Sequence, residues 1–142
     1  MEKQIIDDKI KELFISSRVI AIVGASNNKD KDSNKVMKFL QRAGYKVIPV
    51  NPTSTNSFIN GEKVYGNLRD IKEKIDIVDV FRPSEEAEEI ARQTIEIGAS
   101  VFWLQLDIRN DKAREMVVKH KIYYMANKCT KIEFERLFRG IK

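Results

Sequence analysis

Gly24, Ala25 and Ser26 follow without a break on the apolar, β-branched run Val19-Ile-Ala-Ile-Val23. About ten polar residues then lead into a stretch with helical spacing. A buried strand that passes through a small-residue loop to a helix N-terminus makes a phosphate site. Unpaired backbone amides and the positive end of the helix dipole both face such a loop. Ser26, Lys29, Ser33 and Asn34 add hydroxyl, ammonium and amide donors around it. Lys29, on a loop, suits a point-charge contact to an anion. From residue 24 to residue 46 there are six basic side chains against two acids, Asp30 and Asp32. Glu85, Glu86, Glu88 and Glu89 instead crowd the start of a later helix, where an anion would be poorly received. The chemistry expected is the holding of a phosphorylated ligand.

The same residues exclude several classes. A dinucleotide fingerprint needs three glycines and an acid at the end of the second strand. Here the loop has Gly24 alone, and the second strand ends Val47-Ile-Pro-Val-Asn-Pro52. No GK[ST] tripeptide follows the first strand, which argues against an NTPase. The single cysteine, Cys129, excludes an internal disulfide and a cysteine metal cluster, and no metal is expected. The single histidine, His120, argues against a histidine zinc site or a catalytic triad. No paired carboxylates gather at the strand ends, so no catalytic residue is assigned. Asp107 is the one acid near a strand end, and it reads as part of a turn. The net charge of +5 comes from scattered lysines with no run of five basic residues, a pattern of solvated surface rather than of nucleic-acid binding. No apolar run approaches the roughly 20 residues of a membrane helix. Met1-Glu-Lys-Gln4 lacks a signal-peptide layout. A cytoplasmic protein without membrane contact is expected.

These residues need a frame to position them. Residues 3–15 read as an amphipathic helix through Ile5, Ile6, Ile10, Leu13 and Phe14. Strands are expected at 19–23, 46–50, 75–81, 100–104 and 122–126. Between them Ser33 or Asn34 would cap a helix stopped by Gly44, and Ser84 a helix closed by Gly98. Asn110 would start a helix carrying Ala113, Val117 and Val118. Residues 53–75 are less regular, with turns at Gly61 and Gly66-Asn67 and a short helix near 68–72. Thr130-Lys-Ile-Glu133 reads as a capping box before a last helix. Five strands alternating with helices predict an α/β, doubly wound parallel five-stranded sheet with helices on both faces. The Rossmann-like order 3-2-1-4-5 is the leading topology. One domain over 1–142 is expected, with 1–17 as a helix packed on it.

Five segments in register, Ile20-Ala-Ile-Val-Gly-Ala-Ser26, Gly44-Tyr-Lys-Val-Ile-Pro-Val-Asn-Pro52, Asp76-Ile-Val-Asp-Val-Phe-Arg-Pro-Ser-Glu85, Gly98-Ala-Ser-Val-Phe-Trp-Leu-Gln105 and Asn127-Lys-Cys129, resemble the small stand-alone CoA-binding proteins. These are Rossmann-like domains similar to the N-terminal domain of the succinyl-CoA synthetase α subunit. The resemblance spans about residues 10–135. It implies that Gly24, Ala25, Ser26, Lys29, Ser33 and Asn34 hold the phosphates of coenzyme A or an acyl-CoA. It implies that Val50, Asn51 and Pro52 line the adenosine side, and that Phe81, Arg82 and Pro83 pack along the adenine or the start of the pantetheine arm. Trp103 and Gln105 would lie nearer the thiol end, although Trp103 also reads as a buried strand aromatic. Cys129, beside Lys128 and a helix start, would have its thiol pKa lowered and could form a mixed disulfide with the CoA thiol; the alternative is an inert cysteine. The sequence departs from the family pattern at Asp107, where a glycine is usual, and at Asn127-Lys128, where Asp-Arg is usual. The function implied is CoA binding without catalysis of its own. An NAD(P)-binding or redox-sensing regulatory domain and a subunit of an acyl-CoA ligase-type enzyme stay open. So does a partner, whether a second copy or a separate enzyme.

Overall fold

The structure, a computed structural model, describes residues 1–138, so the last four residues of the expected domain lie outside the described residues. The chain runs α1 (Glu2–Ser16), β1 (Val19–Val23), α2 (Asp32–Arg42), β2 (Lys46–Val50), the short β3 (Phe58–Ile59) and β4 (Glu62–Lys63), β5 (Ile77–Val80), α3 (Ala87–Ile97), β6 (Val101–Leu104), α4 (Asp111–Lys119), β7 (Tyr123–Met125) and α5 (Thr130–Leu137). Five strands pair in parallel in the order β2-β1-β5-β6-β7. β3 and β4 form a separate antiparallel hairpin.

The α/β class, the parallel sheet and its five strands are as the spacing predicts, but the order 3-2-1-4-5 is corrected. The third long strand, β5, lies beside β1 rather than outside β2. Burial explains the placement. Every residue of β5 is buried, so the strand needs a neighbour on each side and helices on both faces. What does lie outside β2 is a single parallel bridge from Tyr65 to Val50. Tyr65 N donates to Pro49 O at 3.0 Å, and Asn51 N donates to Tyr65 O at 2.8 Å. The segment then turns at Gly66, buries Leu68, Ile71 and Ile75, and re-enters the sheet beside β1.

Alternation along the strands sorts the core into two layers. Ala21, Val23, Ile48, Val50, Val78 and Val80 pack with Ala87, Ile90 and Ala91 of α3 and with Ala113 and Val117 of α4. Ile20, Ile22, Val47, Ile77 and Trp103 pack with α1 and α2. Each fully buried Ile, Leu or Val contributes about 1.5–3 kcal/mol through removal from water. Trp103 is entirely buried against Phe14, with ring centroids 5.6 Å apart, and its Nε1 donates to Lys128 O at 2.7 Å. It is a core residue, not a ligand contact.

Several helix ends follow the sequence and several do not. Gly98 closes α3 at φ +69°, and Asn110 Oδ1 accepts from Ala113 N at 2.9 Å as the cap of α4. α2, however, starts at Asp32 with Lys31 at its cap and no side-chain cap bond. Ser33 and Asn34 are inside the helix. Ser84 opens a 3-10 turn over Ser84–Glu86, and its Oγ accepts from Arg109 N at 3.1 Å instead of capping α3. The box at 130–133 does not close: Thr130 Oγ1 donates to Asp79 Oδ2 at 2.8 Å, and Glu133 pairs with Arg136 at 2.7 Å. For Ser84 and Thr130 a partner distant in sequence outbid the local one. Of the apolar residues on α4, Ala113 and Val117 are buried and Val118 is exposed. Among the described residues, no helix is long and apolar enough to cross a membrane.

Candidate ligand-binding site

From β1 the chain moves outward to β2, then crosses back to β5 on the other side of β1. Connections leaving the carboxyl ends of β1 and β5 therefore diverge, and such a switch point opens a crevice. The crevice is present here, with a volume near 480 Å³. Its floor is the ends of β1 and β2, Val23, Gly24, Val50 and Asn51. One wall is α3 and the turn before it, through Arg82, Glu86, Ile90 and Gln93. The other is Pro52 and Thr53 with Gly66 and Asn67.

Gly24 is the pivot of the first loop. Its φ of +92° is one that a β-carbon disfavours, and a Cβ there would lie 2.9 Å from Arg82 Cδ and 3.0 Å from the Phe81 carbonyl oxygen. The glycine lets the β1 and β5 ends approach closely. Its amide is not free for a ligand: Gly24 N and Ala25 N both donate to Val50 O, at 2.9 and 3.3 Å. Ala25 is itself buried in the α2-side core. The donors left over lie further along. Among the described residues, no protein acceptor engages the amides of Ser26, Asn27, Asp32 and Ser33. The last two belong to the first turn of α2, where intrahelical partners do not exist.

The loop is braced so that these amides stay in place. Asn34, almost fully buried, donates Nδ2 to Ser26 O at 2.7 Å. Asn51 Nδ2 donates to Ala25 O at 2.8 Å, which ties the end of β2 to the same loop. Asn28 N donates to Ser26 Oγ at 3.0 Å. Asn34 and Asn51, expected as ligand contacts, thus serve as struts. Lys29 and Lys31 are exposed beside the loop, and among the described residues neither enters an ion pair. An anion at Ser26–Ser33 would meet free amides, the α2 dipole and two unpaired ammonium groups.

The crevice has the opposite character. Glu85, Glu86 and Glu89 line it. Its cation, Arg82, is closed on Glu86, with Nε to Oε1 at 3.0 Å and Nη2 to Oε2 at 2.6 Å. The Arg82 guanidinium holds the Glu86 carboxyl below its usual range. Pro83 is exposed at the start of the Ser84–Glu86 turn.

Phe81, Gln105 and Cys129 stand on the other face of the sheet, away from the crevice. Phe81 and Cys129 pack against the α1 and α2 core layer. Gln105 is buried and hydrogen-bonded to Asp79 and, at 3.2 Å, to Thr130 Oγ1. Asp79 has no cation within this cluster. Burial pushes its carboxyl up to about 7, against the pull of the Gln105 and Thr130 donors. The expectation of an acidified Cys129 is corrected. Burial pushes its thiol up, and the amides of Ile132 and Lys131 offset this only partly. His120 sits at the exposed C-terminus of α4, far along the chain from every loop of the crevice. Among the described residues no cluster of His, Cys, Asp and Glu suits a metal ion.

Asn67, Gln93 and Ile90 went unnoticed as site residues in the sequence. Ile90 reads only as part of a helical apolar stripe, and Asn67 only as a turn residue. The Gly66-Asn67 pair after an irregular segment was the one local signal.

Comparison with known proteins agrees with this architecture. The chain matches the model of the CoA binding domain over residues 18–135 and belongs to that family. YneT, an uncharacterized protein of Bacillus subtilis, is 39% identical over 124 residues, 87% of this chain and 90% of that one. A hypothetical protein from Pyrococcus horikoshii OT3 has a solved structure similar to this one, at 37% identity and TM-score 0.89, covering 93% of this chain and 92% of that one. An acetyl-coenzyme A synthetase from Ca. Korarchaeum cryptofilum shares the fold at 24% identity and TM-score 0.68; the likeness covers 81% of this chain and 26% of the synthetase.

Proposed function

We propose that this chain binds coenzyme A, free or acylated, across the carboxyl ends of β1, β2 and β5, without catalysis of its own. The diphosphate would lie on the loop from Ser26 to Ser33, and the adenosine in the crevice beside Val50, Asn51 and Pro52. One observation carries the reading: a crevice at the switch point opens beside a helix N-terminus whose amides lack acceptors. Family membership supports coenzyme A as that ligand. The Arg82 side chain, which packs at Gly24, would exchange Glu86 for a phosphate of the ligand. Membership in a family whose fold also occurs within a much longer synthetase favours a second role, as the CoA-holding partner of a separate enzyme.

The test is a thermal-shift panel of CoA, acetyl-CoA, NAD and NADP on the full chain. A ligand at 100 times its Kd stabilises by about 2.7 kcal/mol. CoA or acetyl-CoA should raise the Tm most. A larger shift with NAD would replace this reading by a dinucleotide-binding one.

A further inference from the structure

The outer face of α2 carries charge of one sign. Lys31, at the helix start, is followed by Lys35, Lys38 and Arg42. At about 3.6 residues per turn these four fall within an arc of roughly 60°, so they form one stripe. Lys31, Lys35 and Arg42 are exposed and Lys38 is partly exposed. Among the described residues none of the four enters an ion pair. The helix holds a single acid, Asp32. α3 is built differently: its Arg92 pairs with Glu88 at 3.1 Å and with Glu89 at 3.0 Å.

The stripe weakens the helix that carries it. Like charges three and four residues apart repel. Lys31 and Lys35 also add to the positive end of the helix dipole, and only Arg42, in the last turn, is favourably placed. A local conflict of this kind is expected where a function needs it. The stripe starts at the loop assigned to the diphosphate and leads away from it. At about 1.5 Å of rise per residue, Lys38 and Arg42 lie roughly 10 and 16 Å along the axis from Lys31. Arg42 is thus out of reach of an anion held at Ser26–Ser33. Its charge still acts on an approaching polyanion, because the Debye length is about 10 Å at 0.1 M salt. We propose that Lys35, Lys38 and Arg42 steer the phosphates of the ligand to the loop and raise its rate of capture, with no contact in the bound state. The inference rests on the CoA-binding reading above. A field of one sign beside a site speeds association by about 10- to 1,000-fold, and charges outside the contact leave dissociation nearly unchanged.

Surface plasmon resonance with the full chain captured through a terminal tag, and CoA in solution, gives both rate constants. The triple variant Lys35→Gln, Lys38→Gln, Arg42→Gln should associate about tenfold more slowly than the wild type at about 20 mM ionic strength, with Kd weakened by the same factor, and within about twofold of it at about 0.5 M. Its dissociation rate should stay within about twofold of the wild type's. Its Tm should match or exceed the wild type's, because like charges have been removed. A second triple variant, Lys72→Gln, Lys119→Gln, Lys121→Gln, removes the same charge from exposed lysines at the amino edge of the sheet. It should associate within about twofold of the wild type. Unchanged association of the α2 variant, or faster dissociation, overturns steering by the stripe and leaves CoA binding standing. Equal slowing in the amino-edge variant does the same, since net charge would then be the cause. A wild type that does not bind CoA overturns the CoA reading and this inference with it.

Discussion

Two polar regions lie near the carboxyl edge of the same sheet, and they spend their hydrogen bonds in contrary ways. At the loop before α2 and in the first turn of that helix, the groups are open: among the described residues the amides of Ser26, Asn27, Asp32 and Ser33 have no acceptor, and Lys29 and Lys31 enter no ion pair. On the α5 face, Asp79, Gln105 and Thr130 bond only to one another and are shut off from water. Polarity alone does not mark a site. Unspent capacity that a ligand can reach does, whereas a closed network ties secondary elements together. Here the closed network joins β5, β6 and the first residue of α5.

The largest effect in breaking this contrast should come from Gly24→Val. The new side chain would meet the backbone of Phe81, which cannot swing away, and would hold a left-handed φ that β-branched residues avoid. CoA binding should fall by more than about 100-fold, equivalent to roughly 2.7 kcal/mol, and the Tm should drop as well. Retained affinity by titration would remove the loop from the site.

The closed side is expected to reveal itself through pH. Asp79 titrates near 7 in the folded chain and near 3.8 when unfolded. Stability from this group is fully present below about pH 4 and is lost as pH rises through 7. Asp79→Asn keeps a neutral side chain at all pH values. Between pH 5 and 8 the wild type should lose up to a few kcal/mol relative to the variant. Denaturant midpoints across that window give the difference, in which the other carboxylates cancel. Parallel pH profiles would mean that Asp79 has an unperturbed pKa. CoA affinity at fixed pH should be the same for both.

Lys29→Gln probes the open side most gently. An exposed ammonium near a diphosphate is screened by salt, so affinity should fall by about two- to fivefold at low ionic strength and by less at 0.5 M. An effect that does not depend on salt would point to a structural role for Lys29.

Much of this was legible from local pattern. The apolar β-branched runs located each of the five sheet strands, Asn110 and Gly98 marked true helix ends, and the loop after β1 pointed to the sheet edge where the crevice opens. The departure at Asp107 also makes sense in place. Its φ is +68°, so a family glycine there is a backbone requirement, and the aspartate meets it with Asp107 N donating to Asn127 Oδ1 at 2.7 Å. Site roles were harder to read. Alternation assigns Phe81 a face but does not say that the crevice opens on the other one. A strand-end asparagine announces polarity but not whether its bonds are already taken.

By itself, the sequence determined which stretches are strands and helices, that the sheet is parallel and covered on both faces, and that a helix N-terminus follows the first strand. Those properties depend on hydrophobic period and on residues a few positions apart. Only the tertiary structure decided that β5 sits beside β1, that Val50 O consumes the amides of Gly24 and Ala25, and that Asp79 captures Thr130. Each of those outcomes pairs groups at least 25 residues apart. A buried donor or acceptor takes whichever partner the packed chain brings within reach, and that competition has no counterpart in local sequence.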